Sequence, residues 1–235
     1  MTTETLVLVP GLACTAALFA PQLPTLSARR RVMVADHTLG DSIAAIAGRL
    51  LAEAPERFDL LGLSMGGYVA LEVMRQAPGR VSRLALLDTS ARSDSAEATA
   101  NRERLIALAA AGRYEEIEPV LWDRLVAPHR RTDADLRTIV AQMHRQTGPE
   151  VFVRQQRAIM SRADSTGLLP AIEIPTLVLV GAEDAITPPD LAREMADAIE
   201  WASLVVVPEC GHLSSLERPE AVTHALSDWL DRGLR

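Results

Sequence analysis

The chain has 235 residues, enough for one well-buried domain with an insertion but too few for two full domains. Its hydrophobic content of 48% and charged content of 23% are typical of an ordinary globular protein and exclude a disordered one. The formal net charge of −7 provides no basic surface for nucleic acid or an anionic membrane, so neither is expected as a partner.

The N-terminus leads directly into the first predicted strand, residues 6–9. It lacks the basic segment and the cleavable apolar segment of a secretory signal. No apolar run approaches the ~20 residues that a membrane span requires. The sequence therefore predicts a cytoplasmic protein.

Short apolar strands rich in valine and leucine alternate with helical segments in the first and last parts of the chain. Continuous apolar strands of this kind are typical of strands buried on both faces of a sheet. The alternation predicts an α/β fold with a mostly parallel sheet and helices on both faces. The predicted strands are residues 6–9, 32–35, 58–61, 84–87, 176–180 and 204–207, and the predicted helices are residues 42–54, 65–76, 189–199 and 219–234.

The pattern changes between residues 91 and 167, where strands give way to charged helical stretches. We interpret residues 91–167 as an α-helical cap inserted into a core of residues 1–90 and 168–235. The cap is expected over the carboxyl edge of the sheet, where open α/β sheets bind ligands; an insertion without a role at the site is the alternative. Its apolar residues Trp122, Val153 and Met160 are expected to pack within the cap rather than to line a pocket. The helical stretches are residues 101–111, 114–125, 134–145 and 150–160.

Residues 62–67, Gly-Leu-Ser-Met-Gly-Gly, contain the G-x-S-x-G pattern between a predicted strand and a predicted helix. An abrupt turn from strand to helix presents its serine on a strained backbone. Small residues must flank that serine because the strand and helix backbones pass close together. The start of the helix also directs backbone N–H groups toward the serine oxygen. We therefore predict that Ser64 is a nucleophile.

A serine nucleophile needs a base, because a neutral hydroxyl is a poor nucleophile until an imidazole accepts its proton. Of the five histidines, His212 is the candidate. It follows the strand at residues 204–207 and is expected at the carboxyl edge of the sheet, beside Ser64, with Gly211 allowing a sharp turn before it. The other four are interpreted as structural: His37, His129, His144 and His224.

The imidazole in turn needs a carboxylate that holds it in the correct tautomer. Asp184 is the first candidate, because it follows the strand at residues 176–180 and is also expected at the carboxyl edge. Asp88 competes with it, since Asp88 ends the strand at residues 84–87. Glu183 is adjacent to Asp184 but points the other way if the local backbone is extended. The order serine, aspartate, histidine along the chain is the one associated with an α/β-hydrolase scaffold.

Several segments together carry a family resemblance that spans nearly the whole chain. They are Val9-Pro10-Gly11-Leu12, the residues 62–67, Leu87-Asp88-Thr89, the residues 181–188, Gly211-His212 and Glu217-Arg218-Pro219. With these segments the sequence resembles the α/β-hydrolase superfamily, and within it the small bacterial capped hydrolases that include enol-lactonases and esterases. The resemblance implies that Ser64, Asp184 and His212 form a catalytic triad. It also implies that the backbone N–H groups of Leu12 and Met65 form an oxyanion hole.

The resemblance implies a serine hydrolase that needs no metal or organic cofactor and that cleaves a small carboxylic ester or lactone. A C–C bond hydrolase, a thioesterase or an acyltransferase uses the same triad and stays open. A ligand-binding protein that kept the fold without catalysis is an alternative from a different class. The chain departs from the family at Pro10, where a histidine is common. It also begins at the first parallel strand, so the family's antiparallel N-terminal strands are expected to be absent or reduced. A homodimer is left open.

Two cysteines flank the predicted site residues. Cys14 lies two residues after Leu12, and Cys210 lies two residues before His212. Both thiols are therefore expected near the site, either as small buried fillers or close enough to the pocket for a thiol reagent to block it. A disulfide between them is not expected in a reducing compartment.

Overall fold

The computed structural model of the chain describes residues 4–233 and contains a six-stranded sheet. The strands are β1 (Thr5–Val9), β2 (Arg31–Val34), β3 (Phe58–Leu63), β4 (Val81–Leu87), β5 (Thr176–Gly181) and β6 (Ala202–Val207). They lie in the order β2-β1-β3-β4-β5-β6, and each of the pairings between neighbours is parallel. The prediction of an α/β fold with a mostly parallel sheet and helices on both faces is confirmed.

The long helices lie where the sequence predicts helical segments, and two of the predicted segments fall within α6. The α-helices are α1 (Leu23–Ser27), α2 (Ile43–Glu53), α3 (Met65–Gln76), α4 (Ala96–Ala110), α5 (Ile117–Leu125), α6 (Ala134–Met160), α7 (Pro189–Ala198), α8 (Ser214–Glu217) and α9 (Pro219–Asp231). The short helices α1 and α8 were not predicted. The predicted helix at residues 219–234 ends at Asp231, and residues 1–3, 234 and 235 of the predicted core lie outside the described residues.

Each face of the sheet carries its own apolar core, because side chains of a strand point alternately to opposite faces. On one face, Val7 and Leu60 pack with residues of α2, α3 and α7. On the other face, Leu6 and Leu61 pack with residues of α1 and α9. The prediction that every strand is buried on both faces is wrong for β2 and β6, which are partly exposed because they form the two edges of the sheet.

The register of the parallel strands brings their carboxyl ends to one edge of the sheet. Val9 pairs with Gly62, Leu63 with Leu87, and Gly181 with Val207. The loops that follow β1, β3, β4, β5 and β6 therefore start at the same edge. The strand order also changes direction there, because β1 lies between β2 and β3, and crevices at such switch points are where open α/β sheets bind ligands.

The chain between β4 and β5 contains α4, α5 and α6 and no strand of the described sheet. Helix α4 starts five residues earlier than predicted, because the Ser95 side chain caps it by accepting a hydrogen bond from the backbone N–H of Ala98. Helix α6 is interrupted at Gly148, where φ is 74° and ψ is 164°, just before Pro149. This interruption falls between the two helical segments that the sequence predicted, because proline disfavours the helical conformation of the residue before it.

Candidate active site

Ser64 occupies a sharp turn between β3 and α3, with φ of 55° and ψ of −117°. The turn is tight enough that a Cβ atom on Gly62 would lie 2.1 Å from the carbonyl oxygen of Gly66. A Cβ atom on Gly66 would lie 1.9 Å from the carbonyl oxygen of Val9. Contacts this short are impossible for real side chains, so only glycine allows β1, β3 and α3 to converge on Ser64. The strained strand-to-helix turn predicted from the sequence is present.

Strained backbone is concentrated at this edge of the sheet. Within residues 4–233, four non-glycine residues have a positive φ, and each lies in a loop after a strand. Such conformations cost L-amino acids about 1–3 kcal/mol and persist where the surrounding structure imposes them, often at functional sites. The four are Ala13 (54°) after β1, Ser64 (55°) after β3, Asp88 (46°) after β4 and Glu209 (48°) after β6.

Ser64, His212 and Asp184 form a chain of hydrogen bonds. The distance from Ser64 Oγ to His212 Nε2 is 2.9 Å, and the distance from His212 Nδ1 to Asp184 Oδ2 is 2.8 Å. His212 and Asp184 are buried, and Ser64 is half-buried. If Nδ1 carries the hydrogen that it donates to Asp184, Nε2 is free to accept the serine proton. The structure thus brings together the three residues predicted from the sequence, and their roles remain predictions.

The Asp184 carboxylate is fixed by its own loop. Oδ1 accepts hydrogen bonds from the backbone N–H groups of Ile186 (2.8 Å) and Thr187 (2.9 Å), and Oδ2 accepts one from the Thr187 hydroxyl (2.8 Å). Burial alone would raise the pKa of Asp184, but the charge of His212 and these hydrogen bonds hold that pKa below its usual value. The sequence analysis did not single out Thr187, although an aspartate in a loop commonly accepts hydrogen bonds from the backbone about two residues later.

The interaction between Asp184 and His212 shifts the pKa of His212 in the opposite direction. Burial disfavours the charged imidazole, but the Asp184 carboxylate, through its charge and hydrogen bond, raises the pKa of His212 above its usual value. A raised pKa means a stronger proton acceptor at Nε2. The site therefore holds an imidazole able to take a proton from the Ser64 hydroxyl and to keep it while a carboxylate stabilises the resulting cation.

Asp88, the competing acid, is placed at the same edge but has different partners. Its Oδ1 accepts a hydrogen bond from the backbone N–H of Gly181 (3.0 Å), and its Oδ2 accepts bonds from the backbone N–H (3.3 Å) and the hydroxyl of Ser214. Burial and the nearby Asp184 charge raise the pKa of Asp88. Within the described structure Asp88 makes no hydrogen bond to His212, and Glu183 is exposed. Asp184 is therefore the carboxylate that contacts the imidazole.

Residues 10–15, which follow β1, carry the predicted amide donor of Leu12. The backbone N–H of Cys14 donates to the carbonyl oxygen of Gly11 (3.2 Å), so the loop forms a tight turn. Among the described residues, neither the Leu12 amide nor the Met65 amide at the start of α3 has a hydrogen-bond acceptor, as the first N–H groups of a helix lack one by geometry. Two unengaged donors therefore lie in the two segments that meet at Ser64, where the sequence placed an oxyanion hole.

Two side chains that the sequence did not single out hold this loop. Gln155 Oε1 in α6 accepts a hydrogen bond from the backbone N–H of Ala13 (3.0 Å). His37 Nε2 donates to the carbonyl oxygen of Gly11 (3.0 Å). Burial lowers the pKa of His37, which favours the neutral form of its ring. These bonds brace a loop that lacks the family's histidine at Pro10. No sequence signal marks Gln155, because its partner is distant in the chain.

A buried carboxylate ties the loop of His212 to the segment after α5. Glu217 accepts backbone hydrogen bonds from Ala127 (2.8 Å), Gly211 (3.1 Å) and Leu213 (3.1 Å). The backbone N–H of His212 itself donates to the carbonyl oxygen of Leu125 (3.0 Å). The position of the imidazole thus depends on residues of the inserted helices as well as on β6.

The remaining histidines take no part in the chain of hydrogen bonds around Ser64. His129 is exposed, and His224 is exposed on α9, 3.4 Å from Asp228. His144 is buried and stacks on the ring of Tyr114 with centroids 3.9 Å apart. The structural role predicted for His129 and His224 agrees with this placement, whereas His144 packs on Tyr114 and also lines the cavity next to Ser64.

Ser64 and His212 open onto a cavity of about 560 Å³. Its walls combine the loop after β1 with residues of α4, α5 and α6, among them Leu12, Leu105, Leu121, Val140 and Ile159. Trp122, Val153 and Met160 are not among the lining residues, in agreement with the prediction that they pack within the helices. A volume of this size is typical of a pocket for a small molecule.

The two cysteines differ in their relation to this cavity. Cys14 is half-buried and lines it. Cys210 is buried, donates its thiol hydrogen to the carbonyl oxygen of Gly211 and does not line the cavity. Both thiols are free in the described structure. The expectation of a thiol near the site therefore holds for Cys14.

Residues 4–233 lack two further features. No group of three or more histidine, cysteine, aspartate or glutamate side chains is arranged to hold a metal ion there. None of the helices in that part of the chain has the length and apolar character needed to cross a lipid bilayer.

Comparison with known proteins gives consistent matches over most of the chain. The family model described as the alpha/beta hydrolase family matches residues 6–225. A Mycobacterium tuberculosis protein with the provisional name non-heme bromoperoxidase BpoC is 32% identical over 191 residues, which are 74% of this chain and 67% of that protein.

Two solved structures are similar over nearly their whole length. A thermophilic esterase from Thermogutta terrifontis, solved with malate bound, has a TM-score of 0.89 and 33% identity, covering 97% of this chain and 90% of that one. The enol-lactonase from Burkholderia xenovorans LB400 has a TM-score of 0.89 and 26% identity, covering 99% and 93%.

Proposed function

Since the chain belongs to the alpha/beta hydrolase family, we propose that it is a serine hydrolase that cleaves a small carboxylic ester or lactone. The observation that carries the proposal is the hydrogen-bonded chain of Ser64, His212 and Asp184 at the wall of a cavity. The names of two similar structures, an esterase and an enol-lactonase, support the substrate class. The reaction belongs to carboxylic ester hydrolysis.

The first half of the reaction forms an acyl-enzyme. His212 Nε2 takes the proton of Ser64 Oγ while that oxygen attacks the acyl carbonyl carbon. Asp184 stabilises the imidazolium that forms. As negative charge develops on the carbonyl oxygen, the amide N–H groups of Leu12 and Met65, which have no other acceptor in the described structure, donate hydrogen bonds to that oxygen. Losing one such donor costs about 3 kcal/mol of transition-state stabilisation.

The attack gives a tetrahedral intermediate, whose collapse completes the acyl-enzyme before water releases the acid. The imidazolium gives its proton to the leaving alkoxide oxygen, and the bond between that oxygen and the acyl carbon breaks. An alcohol departs from an ester, whereas the new hydroxyl stays attached to the acyl group of a lactone. A water molecule, deprotonated by His212, then attacks the acyl carbon. The proton returns to Ser64 Oγ as the acyl–serine bond breaks, which regenerates the enzyme.

The test is covalent labelling combined with substitution of the nucleophile. A fluorophosphonate is expected to label Ser64, and an activated ester is expected to give a burst of leaving group equal to the enzyme concentration if deacylation is slow. Ser64→Ala should abolish both while the protein stays folded. Ser93→Ala is a matched control, because Ser93 lines the same cavity without contacting His212. Labelling at another serine, or full activity in Ser64→Ala, overturns the proposal.

A panel of substrates separates the chemistries that share this triad. Esters, lactones, thioesters and diketones should be compared by kcat/KM with the same protein preparation. The proposal expects the highest values for esters or lactones. Faster cleavage of a diketone or a thioester would assign the protein to C–C bond hydrolysis or thioester hydrolysis instead.

A further inference from the structure

A buried polar cluster lies in the wall of the cavity that contains Ser64. We define the Asp94 cluster as Asp94, Arg102, Gln156 and Arg162, all of which line the cavity. The Asp94 carboxylate contacts Arg102 Nε at 2.6 Å and Arg162 Nη1 at 2.7 Å. Its side chain is only 6% exposed. One carboxylate is thus shared by two guanidinium groups, so the Asp94 cluster carries one excess positive charge.

The other charged residues around the cavity do not cancel this charge. Arg92 is bonded to Glu194 at 2.8 Å, and Glu118 is 3.3 Å from Arg137. Arg124 and Glu97 also line the cavity, and their charges have opposite signs. Both side chains are exposed to water, which screens these charges. The excess charge of the Asp94 cluster therefore faces the cavity without a carboxylate of the described residues to balance it.

Arg102 is the member of the Asp94 cluster with guanidinium N–H groups that have no acceptor among the described residues. Its Nε is used by Asp94 and its Nη1 donates to Gln156 Oε1 at 2.8 Å, but Nη2 has no acceptor among the described residues. The Gln156 side chain is fully buried, and its amide Nε2 also lacks an acceptor. A buried amide without a partner is costly in a folded protein, so an acceptor placed beside it would relieve that cost.

The cluster is held rigidly in place. Arg162 stacks over the ring of Tyr68 at 4.0 Å and donates twice more to the carbonyl oxygen of Arg92. Arg102 lies on the stripe of α4 that faces the cavity at helical spacing, together with Ala98, Asn101 and Leu105. Because these groups are already oriented, an anion that enters the cavity meets a guanidinium that needs little reorganisation.

We propose that Arg102, with the Gln156 amide beside it, is a subsite for a free carboxylate of the substrate. A carboxylate accepts the remaining N–H groups of a guanidinium in a planar arrangement and neutralises the excess charge. The natural substrate is then acidic: a monoester of a dicarboxylic acid, or a lactone that bears a carboxylate. This inference rests on the proposed function, since it assigns the substrate class of the same cavity.

The experiment compares acidic and neutral esters that differ only in the terminal group. Monoethyl succinate, glutarate and adipate are paired with ethyl butyrate, valerate and hexanoate, and ethanol release gives kcat/KM for each. The ratio of acidic to neutral kcat/KM should exceed one for the best pair. It should fall about tenfold or more in Arg102→Gln, because a charge-assisted hydrogen bond is lost. Arg102→Lys should restore part of the ratio.

Both the variant and its control are structurally mild. Arg102→Gln leaves Asp94 paired with Arg162 at 2.7 Å, so the carboxylate keeps a partner. Arg104→Gln makes the same change of charge on the exposed side of α4, away from the cavity, and should leave the ratio unchanged. Because a ratio is measured, a general loss of activity through weaker folding cancels.

The outcomes separate this proposal from the proposed function. The carboxylate subsite is refuted if the wild-type protein has equal kcat/KM values for neutral and acidic esters, or if Arg102→Gln lowers both values by the same factor. Either result leaves the proposed hydrolase function intact. If the wild-type protein cleaves neither an ester nor a lactone, the proposed function is refuted, and calorimetric titration with glutarate then decides the subsite alone. Binding that is lost in Arg102→Gln and kept in Arg104→Gln supports the subsite. Absent or unchanged binding overturns it.

Discussion

Gln155, in the last turns of α6, accepts a 3.0 Å hydrogen bond from the backbone N–H of Ala13, which lies 142 positions earlier in the chain. This bond joins the inserted helices to the loop after β1. Ala13 has a φ of 54°, a conformation that its own side chain disfavours. The inserted helix therefore helps to hold the turn from which the Leu12 amide points.

We predict that Gln155→Leu lowers kcat about tenfold or more with little change in KM. A misplaced Leu12 amide weakens an interaction made only when the oxyanion develops, and such losses appear in kcat. Steady-state kinetics on a neutral ester measure the effect. Gln142→Leu, an exposed glutamine of the same helix, is the control. An equal loss in both variants, or a change confined to KM, would show that Gln155 does not act through the loop.

The two aspartates at the carboxyl edge should differ sharply in their effect on turnover. Asp184→Asn should lower kcat by several orders of magnitude, because the imidazole loses the charge that orients it and stabilises its cation. Asp88→Asn should keep activity within about tenfold, or about 1.4 kcal/mol of barrier, since Asp88 bonds to Gly181 and Ser214 instead. Kinetics on one activated ester compare them. A reversal would assign the acid to Asp88.

The acid limb of the pH profile should lie above pH 6.5. Protonated His212 cannot accept the serine proton, so kcat/KM falls as the pH drops through the pKa of His212 in the free enzyme. The Asp184 carboxylate outweighs burial and raises that pKa above 6.5, and activity is therefore lost at a higher pH than for an ordinary histidine. A profile of kcat/KM from pH 5 to 9 measures the midpoint. A midpoint below 6.5 would contradict the inferred direction of the shift.

Alkylation of Cys14 with N-ethylmaleimide should slow ester hydrolysis, and a competitive ligand should protect against it. Cys14 lines the cavity, so the added group occupies space near Ser64. The reaction itself should be slow, because burial raises the pKa of the Cys14 thiol to about 12 and little thiolate is present at neutral pH.

Single substitutions identify the thiol that matters. Cys14→Ser should make the activity resistant to the reagent, whereas Cys210→Ser should leave the protein as sensitive as wild type. Mass spectrometry confirms the extent of modification. Full activity after complete alkylation of Cys14 would leave only a packing role for that residue.

Glu217→Gln should lower thermal stability. The carboxylate accepts three backbone N–H groups, and an amide in its place turns one acceptor into a donor that faces them. Leaving a buried polar group unsatisfied costs about 1–3 kcal/mol, which corresponds to roughly 3 to 10 °C in Tm for a domain of this size. Calorimetric scans against Glu220→Gln, an exposed change of the same kind, measure it. Equal Tm values in the two variants would show that the three hydrogen bonds accepted by Glu217 do not stabilise the fold.

Much of the fold and the three central residues of the candidate site could be predicted from local patterns. Continuous valine and leucine runs identified the six strands, because a strand buried in a parallel sheet needs apolar side chains on both faces. Glycines around Ser64 marked the tight turn, because no other residue allows the backbones to approach so closely. The position of His212 and Asp184 directly after strands placed them at one edge, since parallel strands share their carboxyl ends.

The sequence favoured Asp184 over Asp88, but only the tertiary structure shows which carboxylate contacts the imidazole. Both residues follow inner strands, so their position after a strand does not separate them. The contacts of Gln155, Glu217 and Arg102 were likewise invisible, because each joins segments far apart in the chain. A local sequence pattern predicts which residues are buried and which lie in turns. Only the packing of helices against the sheet determines which side chains meet, because the whole core sets the distances between side chains that are far apart in the chain.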